Sequence, residues 1–116
     1  MTPGPPDGIE RRKAVRSAPD QLSEPVSVVG ARLLDVSAGG VLIDAPVPLA
    51  PDSTLRVRLV VGGVKTELET RVTGCRRLHG STRPWGVGLE FADVPKEMSL
   101  RLERALRTRH GRSRTA

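Results

Sequence analysis

Leu55-Arg56-Val57-Arg58-Leu59-Val60-Val61-Gly62-Gly63-Val64-Lys65-Thr66-Glu67-Leu68-Glu69-Thr70-Arg71-Val72 reads as two strands and the turn between them. Leu55, Val57, Leu59 and Val61 recur at every second position with Arg56 and Arg58 interleaved. On an extended chain that spacing puts apolar groups on one face and charge on the other. Val64, Thr66, Leu68, Thr70 and Val72 repeat the pattern against Lys65, Glu67, Glu69 and Arg71. Gly62-Gly63 supplies the positive φ values that a two-residue hairpin turn needs. The segment predicts an antiparallel hairpin with one buried face.

Upstream of the hairpin, Val26 and Val28 alternate, and 31–36 and 41–43 are short apolar runs separated by Ser37-Ala38-Gly39-Gly40. Runs of this length between turn residues are the signature of antiparallel strands. Residues 45–53 carry three prolines, which keeps them out of a central strand. Downstream, 78–84 reads as a loop before Trp85-Gly86-Val87-Gly88-Leu89-Glu90-Phe91, a strand whose glycines point to close backbone approach or a barrel corner. Asp93 is placed to cap a helix, with Pro95 in its first turn and Glu97 near the positive end of its dipole. Val94, Met98, Leu102, Ala105 and Leu106 form one apolar stripe along that helix, and such a stripe must cover something. Roughly six short strands and one terminal amphipathic helix predict an all-β protein. Its expected form is a closed or nearly closed antiparallel barrel over residues 24–92, with the helix, 94–108, packed on its surface or mouth.

A chain of 116 residues has room for one hydrophobic core. Trp85 and Phe91 are its only aromatic residues, so that core is built from Val, Leu, Ile and Ala, and Trp85 reads as a barrel plug. The Pro- and Gly-rich lead-in, residues 1–9, is expected to be disordered. A charged arm, 10–18, follows it, and Pro19, Asp20 and Pro25 then keep the chain in loop or edge conformation. No apolar run approaches the ~20 residues of a membrane span, and the N-terminus lacks a signal-peptide core, so a soluble cytoplasmic protein is expected. A single cysteine, Cys75, and two histidines, His79 and His110, exclude an intramolecular disulfide and a metal-ligand cluster. The net charge of +6 is concentrated at the C-terminus, where residues 96–116 hold seven basic and two acidic groups. That excess reads as a solvated helix face running into a basic tail, 109–116; the other reading is an electrostatic footprint for an anionic partner.

Two local patterns carry candidate binding chemistry. Arg12 and Arg16, with Arg11 beside them, stand four residues apart, so in a bend both guanidinium planes can address one object. In a fully extended strand they would lie about 13 Å apart. Guanidinium forks suit phosphate oxygens and the O6/N7 edge of guanine alike. Asp35 and Ser37 alternate on the strand that ends at Gly39-Gly40. A carboxylate there can accept hydrogen bonds from guanine N1 and N2, the hydroxyl can donate or accept, and the glycines admit a ligand close to the backbone. Taken alone, the arginines also fit a solvated basic linker, and the second pattern also fits a side-chain turn closing a hairpin.

In this order, and with Gly86-Val87-Gly88-Leu89-Glu90-Phe91 before a terminal helix, the chain resembles the PilZ domain family. Residues 10–16 look like the family's Arg-x-x-x-Arg motif, and 35–40 like its Asp-x-Ser-x-x-Gly motif. The resemblance spans residues 10 to about 107. It implies a six-stranded antiparallel barrel that binds cyclic di-GMP on its outside, between the arginine arm and the second motif. By that resemblance Arg12 and Arg16 grip phosphates and guanine edges, Asp35 and Ser37 read a guanine, and Gly39 and Gly40 leave room for it. Arg11 is similar to family members that accept a stacked pair of ligands. Some relatives place an aromatic or basic side chain of a later strand over the base; Arg76, Arg77 and Trp85 are the residues here that could take that part. The resemblance further implies a receptor without a cofactor that acts through an effector protein; from the expected disorder of residues 1 to about 18, the expected signal is the folding of that segment over the ligand.

Catalysis is disfavoured, because no nucleophile has a base and an orienting group beside it in the sequence, and no phosphate loop is present. The rival is a small nucleic-acid-binding barrel that uses the Arg-rich C-terminus. The scarcity of aromatic residues counts against it, since single-strand binders stack bases on aromatic faces.

Overall fold

Apolar alternation over 55–72 produces the hairpin at the centre of the sheet. The computed structural model describes residues 16–115, with side chains through Leu106. Its strands are β1 Val26–Val28, β2 Leu33–Ser37, β3 Gly40–Ala45, β4 Thr54–Val61, β5 Val64–Arg77 and β6 Trp85–Phe91, followed by helix α1, Lys96–Thr115. A short 3₁₀ turn, Pro19–Gln21, precedes β1. All strand pairs are antiparallel, in the order β1-β4-β5-β6-β3-β2. Val61 faces Val64 across the hairpin turn, where Gly62 and Gly63 have φ of 57° and 87°. Without a Cβ these residues enter that region freely, and their twist matches that of the flanking strands.

β5 is long because it changes partners. Its first half pairs with β4 as far as Arg71, and its second half pairs with β6 from Thr70 onward. A bulge between Val72 and Gly74 makes the corner. β1 and β2 are the edge strands, joined by a tight turn with an isolated bridge between Val28 and Ala31, and the barrel is nearly closed. Val36, Leu59, Val61, Val72 and Val87 have no exposed surface and form the centre of the core. The remaining gap is covered by Leu22 and by the stripe Met98, Leu102, Ala105 and Leu106 of α1. The backbone N–H of Ser23 donates to the Ala105 carbonyl at 3.1 Å and fixes the helix against the chain that enters the barrel.

Two expectations need correction. The helix does not occupy 94–108: its backbone runs Lys96–Thr115, so residues expected as a tail continue it. Arginine is a good helix former and no proline interrupts the run, which lets the turns propagate. At the start, Ser99 N donates to Pro95 O, so Pro95 occupies the cap position and not the first turn. Trp85, expected as a plug, is half-buried at the mouth of the barrel, beside the core and not in its middle. It begins β6, and Arg77 on the neighbouring strand lies over its ring, 5.2 Å from the centroid.

Candidate functional site

The free edge of β2 is where the two sequence patterns meet. Ser17 N donates to Val36 O at 2.9 Å and Val36 N returns the bond to Ser17 O at 3.0 Å, so the chain before the 3₁₀ turn pairs with β2. That bridge sets Arg16 beside Asp35. The Arg16 guanidinium donates to both carboxylate oxygens, Nη1 to Oδ1 at 3.1 Å and to Oδ2 at 3.3 Å. Both partners reach solvent, with side chains 58% and 27% exposed. Exposed pairs of this kind stabilise a fold by about 0 to 1 kcal/mol, so Arg16 can exchange this partner for another.

Cross-strand register builds the surface beside that pair. Val36 faces the core, so its neighbour Asp35 faces outward, while Ser37, next to the β2–β3 turn, is buried. Asp35 pairs with Leu42 of β3, Leu42 with Gly88 of β6, and Gly88 with Gly74 of β5. One step along the strands, Arg76 pairs with Gly86. A cleft of ≈ 290 Å³ follows this row, from Arg16, Asp35 and Leu42 across Gly88, Gly86 and Gly74 to Thr73 and Arg76. Two guanidinium groups and one carboxylate thus flank a cleft lined between them by Leu42, Thr73 and three glycines. Arg76 and Arg77 follow the bulge as consecutive residues of β5, so their side chains leave opposite faces of the strand. Arg76 lines the cleft, whereas Arg77 pairs with Trp85 on the opposite face, and neither Arg77 nor Trp85 lines it.

The remaining motif residues hold the β2–β3 turn. Ser37 is buried, and its Oγ accepts the backbone N–H of Gly39 at 3.2 Å, which leaves its proton to donate elsewhere. Gly39 O accepts from Phe91 N at 2.9 Å. A Cβ on Gly40 would fall on the Leu89 carbonyl of β6, so glycine is needed there for strand approach, whatever room a ligand takes. Arg11 and Arg12, with the lead-in, lie outside the described residues.

One cluster escaped the sequence reading. Asp44, on β3, is 5% exposed and holds two arginines. Its Oδ1 accepts Arg32 N at 2.8 Å and Arg83 Nε at 3.1 Å, which ties the 78–84 loop to β3 one register step from the cleft. Burial pushes the carboxyl up, but the Arg32 N–H and the hydrogen bond and charge of Arg83 outweigh it and hold Asp44 below the usual carboxylate range. The signal was a single acid inside the apolar run Val41-Leu42-Ile43-Asp44-Ala45, a place where a charge needs partners. Among the described residues no group of three His, Cys, Asp or Glu is placed to hold a metal ion. No helix there is long and apolar enough to cross a membrane.

A small antiparallel barrel, closed by a C-terminal helix and carrying an arginine–carboxylate pair beside a glycine-lined cleft, is the architecture of a ligand-recognition module. The chain belongs to the PilZ domain family, whose model matches residues 10–108. That family is one of cyclic di-GMP receptors. No curated protein matches the chain. Among solved structures, the Bacillus subtilis inhibitor of motility, MotI/DgrA, has a similar fold, with a TM-score of 0.59 at 18% sequence identity. The match covers 90% of this chain and 52% of that one, so the chain spans about half the length of this neighbour.

Proposed function

We propose that this chain is a non-catalytic receptor for cyclic di-GMP that acts in the cytoplasm through an effector protein. The observation that carries the reading is the meeting of its two motifs: Arg16 and Asp35, 19 residues apart in sequence, touch at the edge of β2. In this reading Arg16 leaves Asp35 for a phosphate or a guanine edge of the ligand. Asp35 then accepts from the guanine N1 and N2 groups. Each charge exchanges an exposed partner for a more desolvated one, where charge-assisted bonds are worth more. Arg11 and Arg12 complete the grip from the arm, Ser37 adds a donor, and Gly39 keeps the turn low beside the base. Closure of the arm over the ligand is the change an effector reads.

Calorimetric titration tests this directly. Cyclic di-GMP should bind saturably, while GTP and the linear dinucleotide should give little heat at the same concentration. One molecule per chain, or two, distinguishes a single ligand from a stacked pair. No saturable heat with cyclic di-GMP, or equal binding of GTP, overturns the receptor reading.

A further inference from the structure

β1 is too short to cover the strand beside it. It pairs with residues 59–61 of β4, and the chain then leaves the sheet through a turn at Gly30, where φ is 85°. β4 begins at Thr54, so its stretch 54–57 has β5 on one side and no strand on the other. Val29 N donates to Arg58 O at 3.0 Å, which shows that the Arg58 carbonyl faces the β1 side. Backbone groups alternate sides along a strand, so Arg56 turns its N–H and C=O the same way, past the point where β1 ends. An open edge of this kind is a template for another strand.

The edge runs along an apolar groove of ≈ 400 Å³ that shares no lining residue with the arginine–carboxylate cleft. Val29 and Val47 stand on its rim, 50% and 55% exposed, and Leu49 and Leu55 pack below them against the core. Arg56, Arg58 and Arg83 line it as well, whereas the acid among its described lining residues, Asp44, is buried and already holds Arg83. Glu67 and Glu69 reach Arg56 and Arg58 from the β5 side, through exposed bridges of 3.3 to 3.7 Å that stabilise little. Apolar side chains left in water beside arginines mark an interaction surface. We propose that this groove receives an extended acidic segment of a partner protein, which adds to the free edge of β4 as a further strand. The register fixes the chemistry of that segment. Leu55 and Val57 face the barrel and Arg56 faces out, so a residue opposite Arg56 stands beside its guanidinium while the two neighbours of that residue turn into the groove. The matching sequence is an aspartate or glutamate between two apolar residues. Main-chain bonds hold such a segment, and alternate side chains select it. A second copy of this chain does not fit, because edge-to-edge pairing would set arginine against arginine. The assignment stands whether or not the cleft binds cyclic di-GMP.

The probe is a fluorescein-labelled synthetic peptide of about eight residues alternating Val and Glu, with versions carrying Ser for Val or Lys for Glu as controls. Anisotropy titration should show saturable binding of the Val/Glu peptide and at least about 10-fold weaker binding of each control. Val47→Asp and Arg56→Glu change exposed side chains, so both should melt within a few degrees of the parent chain. Each should nevertheless lower the affinity for the Val/Glu peptide about 10-fold or more. In the parent, hydrogen exchange at the Arg56 amide should slow by at least about ten-fold at saturating peptide, since that amide becomes a ladder donor, a readout that needs no variant. No saturable binding of the Val/Glu peptide, equal binding of the Lys version, or unchanged exchange at Arg56 overturns the proposal. So does a concentration-dependent dimer in sedimentation that Val47→Asp abolishes, because the groove then belongs to a second copy. These measurements are made without cyclic di-GMP, so their failure leaves the receptor reading standing, and a chain that does not bind cyclic di-GMP leaves this edge as it is.

Discussion

Arg16 and Asp35 show how little a contact must stabilise the fold in order to serve a site. Their pair is exposed on the Arg16 side and rests on two ordinary hydrogen bonds. Arg16→Ala or Asp35→Ala should therefore change unfolding free energy by less than about 1 kcal/mol. The same substitutions should weaken cyclic di-GMP binding by about 2 to 5 kcal/mol, because a desolvated phosphate or guanine group then loses its partner. Chemical denaturation and titration of the same samples separate the two effects. A loss of stability as large as the loss of affinity would make the pair a structural clasp. The sequence made both residues candidates only through their motifs. Their contact depends on the Ser17–Val36 bridge, a single backbone pairing that no side-chain pattern announces.

Strands were legible where period two holds and opaque where it breaks. Burial alternates along β4 and along β5 as far as Val72, as the apolar spacing predicted. The bulge at Thr73 then shifts the parity of everything after it. Arg76 and Arg77 look equivalent in sequence, yet one lines the cleft and the other covers Trp85. Nor could spacing reveal that Gly74, on β5, faces Gly88, on β6, since that pairing is a property of the closed sheet. The loop between these strands is held by Asp44, and its depressed pKa gives the contact a pH signature. A carboxyl whose folded-state pKa lies below its unfolded value stabilises the fold above the unfolded value, about 3.9, and loses that contribution as pH falls through the folded one. Asp44→Asn should destabilise the protein by about 1 to 3 kcal/mol at neutral pH; the arginine heads keep access to water, which spares them the penalty of a sealed pair. The gap between parent and variant should stay level down to about pH 4 and close below it. A gap that widens on acidification would assign the stabilisation to another group.

At the scale of the whole molecule the question is how a barrel that scarcely deforms can report a ligand. Its core is continuous, and α1 is pinned through Ser23 and a buried stripe, so packing resists change there. Among the described residues ahead of the 3₁₀ turn, Ser17 is bridged to Val36 and Arg16 is held by an exposed ion pair, both at the rim of the cleft. In the proposed reading, a ligand that takes Arg16 from Asp35 while engaging Arg11 and Arg12 acts on this attachment and not on the packed core. The ordering cost of that segment is met by charge-assisted contacts to the ligand. Hydrogen exchange reads the result amide by amide. Ser17 and Val36, already bonded to each other, should be protected in the free protein and change little. Amides 11–16 should slow by at least about ten-fold at saturating cyclic di-GMP, because local opening must then break ligand contacts as well. Amides on β4 and in the buried half of α1 should keep their rates. Unchanged exchange across 11–16 in a protein that binds the ligand would remove the arm as the output, and the signal would then have to leave through the cleft surface itself.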